Sequence, residues 1–194
     1  MMQDLAEILF SAEEIAARVK ELGNQINKDY EGKELIVVGV LKGSLMFMAD
    51  LIREIKVPLR YDLIAVSSYG ASTSSSGIVR IIKDIDISIQ NEHVLVVEDI
   101  VDTGLTLKYL MTTFGSRQPA SLKSCVLLDK PSRRKTEISP DYNGFVIPDR
   151  FVVGYGLDYA QRYRQLPVIA ALKPEVYTTG KNGEKEENQK ETRG

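Results

Sequence analysis

Hydrophobic positions along the chain follow two kinds of pattern. Ile15, Val19, Leu22 and Ile26 recur at intervals of three and four, the period of a helix with one apolar face. Ser11 precedes them and Glu14 stands three residues on, the spacing of a capping box. Leu45, Met48, Ile52 and Ile55 repeat the helical spacing, and a third helix is expected over Leu105–Phe114. "LIVVGV" (Leu35–Val40) and "HVLVV" (His93–Val97) are instead short unbroken apolar runs, the mark of strands buried on both faces. "DLIAV" (Asp62–Val66), "IVRII" (Ile78–Ile82), "LKSCVLL" (Leu122–Leu128) and "FVVGY" (Phe151–Tyr155) read as further strands. Buried strands alternating with helices predict an α/β domain built on a largely parallel, twisted sheet flanked by helices.

The 194 residues suffice for one domain with a sizeable core, and 43% hydrophobic with 27% charged residues is an ordinary globular balance. A formal net charge of −2 speaks against a protein devoted to gripping nucleic acid. Cys125, the lone cysteine, sits in an apolar run and has no partner for an internal disulfide, which fits a reducing compartment. No apolar run approaches the ~20 residues of a membrane span, and "MMQDLAEILF" lacks the pattern of a signal peptide. A cytoplasmic protein with no membrane and no nucleic-acid partner is expected. From Thr178 to Gly194 there is no hydrophobic residue, so residues 178–194 are expected to form a disordered polar tail after a domain spanning 1–177.

The chemistry gathers in "VLVVEDIVDTGLTL" (Val94–Leu107). A buried strand runs into Glu98, Asp99 and Asp102, then Thr103 and Gly104. Carboxylates at such a place are costly unless something positive or hydroxylated meets them. Ligands of parallel α/β sheets bind beyond the carboxyl ends of the strands. The turn Asp102–Thr106 opens the next helix, whose first amides suit a phosphate, and Gly104 permits a close backbone approach. The carboxylates could accept from sugar hydroxyls, hold a divalent cation or move a proton. A phosphorylated sugar with a metal satisfies all of these; a plain helix N-cap at Asp102 among solvated acids is the alternative. Neither a Walker A loop nor a G-x-G-x-x-G fingerprint is present.

The same segment resembles the ribose-phosphate signature of the type I phosphoribosyltransferases. "GVLKGSLMFMADL", "SSYGASTSSSG", "LLDK" and "IPDRFVVGYGLDYAQRYR" match, in order, the hypoxanthine-guanine branch of that family. The likeness runs from about Ala6 to Tyr177. It implies the fold of that family, with a small hood formed by the chain ends. It implies transfer of a 5-phosphoribosyl group from phosphoribosyl pyrophosphate to a 6-oxopurine, with magnesium (Mg2+) as cofactor and a homo-oligomer, dimer or tetramer, as the assembly.

Residue by residue, the resemblance implies that Glu98 and Asp99 hold the ribose hydroxyls beside the metal, and that Asp102 accepts a proton near N7 of the purine. Thr103, Gly104, Leu105 and Thr106 would take the 5′-phosphate; Leu105 stands where some relatives carry a lysine. Lys130 would donate to O6 of the base, although a lysine past a strand end also reads as a solvated cation. Phe151 would lie on the purine face, with Val152 at the base edge; core packing is the other reading of an aromatic beside two valines. Asp158 is implied as a further metal contact and Arg164 as a pyrophosphate ligand, with Arg162 as a solvated neighbour. Lys42 and Gly43 would meet pyrophosphate through backbone amides, across a cis peptide between Leu41 and Lys42. Ser68 and Tyr69 would close over the site as part of a lid, where the residues alone read equally as a linker. A xanthine-preferring relative and an RNA-binding regulator on the same fold are the competing functions; the second would want a basic face.

Overall fold

The computed structural model describes residues 1–68 and 79–178. Its strands are β1 (Leu5–Phe10), β2 (Leu35–Leu41), β3 (Leu59–Ser68), β4 (Val79–Lys83), β5 (His93–Val101), β6 (Ser121–Asp129), β7 (Tyr142–Val146), β8 (Val152–Val153) and β9 (Ile169–Leu172). Its helices are α1 (Ala12–Asp29), α2 (Leu45–Glu54), α3 (Leu105–Gly115) and the short α4 (Pro174–Thr178).

Six strands form the main sheet in the order β4-β3-β2-β5-β6-β7, with every pair parallel except β3 and β4. The alternation of side chains along a strand divides the core between two layers. From β2, Leu35 and Val37 pack with Ile15, Leu22, Phe47 and Leu51 of α1 and α2. Ile36, Val38 and Val40 pack with Leu107, Leu110 and Phe114 of α3 on the other face. That double burial is why β2 reads as an unbroken apolar run; each fully buried side chain of this kind contributes roughly 1.5–3 kcal/mol. The capping box at the start of α1 is present: Ser11 Oγ accepts from Glu14 N at 3.2 Å, and Ser11 N donates to Glu14 Oε2 at 2.8 Å.

A second, antiparallel sheet, β1-β9-β8, joins the two ends of the chain into a hood. It changes several sequence expectations. "FVVGY" supplies only Val152–Val153, and those residues join the hood instead of the main sheet. β1, β7 and β9 were not among the expected strands. β5 runs on to Val101, so Glu98 and Asp99 lie within its last turn of pleat and not past it. Thr178 ends α4 and so belongs to a helix, whereas the remainder of the expected tail, 179–194, lies outside the described residues. The expected lid falls mostly outside them too: Ser68 is the last residue of β3, and Tyr69 is not described. No helix among the described residues is long and apolar enough to cross a membrane.

Candidate active site

Because β2, β5, β6 and β7 are parallel, their carboxyl ends open on one edge of the sheet. The segments beginning at Lys42, Asp102, Lys130 and Ile147 therefore emerge side by side. The last three of these border a cavity of about 540 Å³ lined by Asp99, Ile100, Asp102, Lys130, Phe151 and Asp158, among others. Val152 and Leu157 close its apolar side.

At the sheet end, Glu98 is buried and Asp99 follows it with the opposite facing. Burial, then the neighbouring charge of Asp99, pushes the Glu98 carboxyl up to about 8. Burial also raises Asp99, to about 6, with Asp158 adding to the rise while backbone donors and Arg164 oppose it. Gly43 explains how the next loop reaches this pair. Its α-carbon faces the Asp99 carboxylate so closely that a β-carbon would overlap Oδ2. Gly156, at φ +100°, packs in turn on the Gly43 carbonyl, where a β-carbon would also overlap. Arg164 secures that loop by donating to the Gly156 carbonyl at 2.7 Å and pairing with Asp158 at 2.8 Å. The Leu41–Lys42 peptide is cis. Arg164 is not among the cavity's lining residues, and Arg162 is exposed.

The turn after β5 differs from the N-cap alternative. Gly104, not Asp102, is the N-cap of α3, at φ +81° in the left-handed region. Leu105 begins the helix, and Thr103 Oγ1 lies 3.4 Å from its amide. The segment after β6 braces this turn: Arg134 Nη1 donates to the Asp102 carbonyl at 3.2 Å, and Lys135 N to the Thr103 carbonyl at 2.9 Å. Arg134 also pairs with Asp129.

Lys130 is not a solvated cation: the residue is 7% exposed. Its Nζ donates to the Arg150 carbonyl at 2.6 Å and stands 4.0 Å from Asp149 Oδ1. Burial lowers its pKa, while Asp102 and Asp149 pull it back up. Phe151 is not a core residue either. It is 39% exposed, stacks on Tyr177 at 5.0 Å and meets Tyr159 edge-on at 5.6 Å. Tyr177, Arg133 and Asp149 line the cavity without having been singled out from the sequence. Arg133 Nε lies 2.6 Å from Asp102 Oδ1.

A buried ammonium, a carboxylate and an aromatic face around one cavity suit a flat, polar-edged ring; the adjoining acids and glycine-lined loop suit a sugar bearing phosphates. The phosphoribosyl transferase domain model matches residues 6–160 of this sequence. The chain belongs to the phosphoribosyl transferase family. Among its relatives, the hypoxanthine-guanine phosphoribosyltransferase of Bacillus subtilis is 54% identical over 177 residues, covering 91% of this chain and 98% of that protein. The enzyme of that name from Staphylococcus aureus is 54% identical over 178 residues, covering 92% and 99%. A crystal structure of a hypoxanthine phosphoribosyltransferase from Staphylococcus aureus matches with a TM-score of 0.88 at 54% identity, over 91% of this chain and 96% of that one. The chain is thus a phosphoribosyltransferase with the α/β fold of its family.

Proposed function

We propose that this phosphoribosyltransferase serves purine salvage, moving the 5-phosphoribosyl group of phosphoribosyl pyrophosphate to hypoxanthine or guanine to give IMP or GMP. The observation that carries the base assignment is Lys130. A buried ammonium has only donors, so it matches a 6-oxo group and leaves a 6-amino group unpaired. The names of the relatives agree with that choice.

In this reading Phe151 carries the ring face and Val152 the base edge. N9 of the base bonds to C1′ of the ribose as the bond from C1′ to the pyrophosphate oxygen breaks. Asp102 takes the proton from N7. Glu98 and Asp99 accept from the ribose hydroxyls, the Thr103–Thr106 turn donates to the 5′-phosphate, and Lys42, Gly43 and Arg164 meet the leaving group. Ser68 and Tyr69 complete the proposed substrate set.

The residues fit a magnesium ion that arrives with the substrate. Among the described residues no cluster of three or more metal-ligating side chains forms a ready cage. Magnesium usually needs only one or two carboxylates beside substrate phosphates, and burial disfavours the charged forms of Glu98 and Asp99 unless a cation joins them. Glu98, Asp99 and Asp158 would hold it, and when bound it neutralises charge on the leaving pyrophosphate. A homo-oligomer is expected on the resemblance alone.

The test is pyrophosphate release with phosphoribosyl pyrophosphate and magnesium, with and without hypoxanthine or guanine. Base-dependent release with matching nucleotide formation is expected. No release with either base, or RNA retention without turnover, would overturn the reading.

A further inference from the structure

Arg133 lies on the short 3-10 turn Pro131–Arg133 that follows β6, at the wall of the base cavity. Its Nε is 2.6 Å from Asp102 Oδ1, and its Nη1 is 3.2 Å from Asp149 Oδ2. One guanidinium thus joins carboxylates from two different segments. Asp102 Oδ1 is fully covered and has no hydrogen-bond partner, so the contact to Arg133 is an ion pair. The Asp102 side chain as a whole is nevertheless 39% exposed. With Oδ1 covered, Oδ2 is the only acceptor Asp102 can offer a ligand.

We propose that Arg133 is a positioning residue for the reaction: it holds Asp102 by Oδ1, so that Oδ2 alone meets the imidazole edge of the base. This rests on Asp102 being the proton acceptor proposed above. The physical need is clear from the side chain. An aspartate's last torsion is soft and nearly two-fold, so an untethered carboxylate presents either oxygen over a broad range of angles. The other acids that line the cavity, Asp99, Asp149 and Asp158, offer a carboxylate no donor when ionised. Lys130 donates one of its three hydrogens to the Arg150 carbonyl at 2.6 Å, and in the reading above its remaining donors serve the base and not Asp102. Of Asp102, Arg134 holds the main-chain carbonyl and not the carboxylate. Arg133 has a planar fork that reaches Asp102 with one nitrogen while Asp149 anchors another.

The test compares Arg133→Met, Arg133→Lys, Asp102→Asn and the Arg133→Met/Asp102→Asn pair in the full chain, by single-turnover rate and by KM for hypoxanthine. Arg133 is exposed, so folding should survive, and the thermal midpoint checks this. Arg133→Met should slow the single turnover about tenfold, because a misplaced group costs rate more than affinity. KM for hypoxanthine should stay within about threefold of the parent. Arg133→Lys, which keeps a cation, should recover much of the rate. On the Asp102→Asn background Arg133→Met should add no further loss, since the two act as a unit.

A single-turnover rate for Arg133→Met within about twofold of the parent, beside a slow Asp102→Asn, would overturn the proposal alone. So would an undiminished further loss in the double variant, which would put the role of Arg133 elsewhere. A lower KM with an unchanged rate would show that Arg133 competes with the base, and would also overturn it. An Asp102→Asn enzyme as fast as the parent would instead remove the reading of Asp102 on which the proposal stands.

Discussion

Gly43, in the loop that follows β2, and Asp99, in the neighbouring strand β5, meet so closely that no side chain fits between them. The pairing ties the loop proposed for pyrophosphate to the carboxylate proposed for ribose and metal. Gly43→Ala must therefore displace one of the two. We expect KM for phosphoribosyl pyrophosphate to rise by about tenfold or more, with KM for hypoxanthine changed far less. Steady-state kinetics with each substrate varied in turn checks this; equal effects on both would show that the loop does not divide the site in this way.

Glu98 makes the ligand-free protein sensitive to pH. Its folded-state pKa is raised from 4.5 to about 8, so the folded state holds the proton more tightly than the unfolded chain. The stability it contributes is full below 4.5 and is lost as pH rises through about 8. With a chelator present, the thermal midpoint of the parent should fall across that window, and Glu98→Gln should flatten the fall. A parent and variant with parallel profiles would show that the Glu98 carboxyl is not raised in the folded protein.

Gly104 is required by its backbone and by its neighbours. It sits at φ +81°, and a β-carbon there would crowd Thr136 Oγ1 at 2.6 Å and Arg134 Cδ and Ile138 Cγ2 at 2.9 Å. The left-handed conformation alone costs a residue with a β-carbon roughly 1–2 kcal/mol. Gly104→Ala should lower unfolding free energy by about 2 kcal/mol or more and raise KM for phosphoribosyl pyrophosphate, because the Thr103–Thr106 turn moves with it. Denaturant unfolding measures the first effect and kinetics the second.

Phe151 separates binding from stability. Its ring is largely outside the core and stacks on Tyr177, so its loss should cost the fold little. Phe151→Ala should raise KM for hypoxanthine by about tenfold, since an aromatic face is worth ~0.5–1.5 kcal/mol beyond the area it buries. A normal KM would place the base elsewhere in the cavity.

The legible parts of this molecule were those with a local signal. β2 and β5 announce themselves because burial on both faces demands unbroken apolar runs, and α1 carries both its period and its capping box. β1 and β9 do not, because each is a strand only through the other: Leu5 pairs with Leu172 and Phe10 with Ile169, contacts made between the two ends of the chain. Glycine within β7 and alanines within β9 further weaken any strand pattern. At the site, the carboxylates of β5 and the Asp-Thr-Gly turn stood out because such residues are costly after a buried strand. Arg133 and Asp149 had no such signal. Each is a charge in a polar loop, and only the parallel strand ends bring those loops around one cavity. Lys130 shows the same limit from the other side, since nothing local distinguishes a buried lysine from a solvated one.

The most direct measurement is the ratio of kcat/KM for hypoxanthine to that for adenine, with phosphoribosyl pyrophosphate and magnesium, in the parent and in Lys130→Gln. A site built around a donor should favour the 6-oxo base by about 10⁴-fold in the parent, the discrimination expected when a buried polar group is left unpaired. Lys130→Gln offers an acceptor as well as donors, so the ratio should fall sharply, mainly through loss of hypoxanthine turnover. A parent enzyme that uses adenine as well as hypoxanthine, or a ratio unmoved by Lys130→Gln, would contradict the assignment of this cavity to a 6-oxopurine read by Lys130.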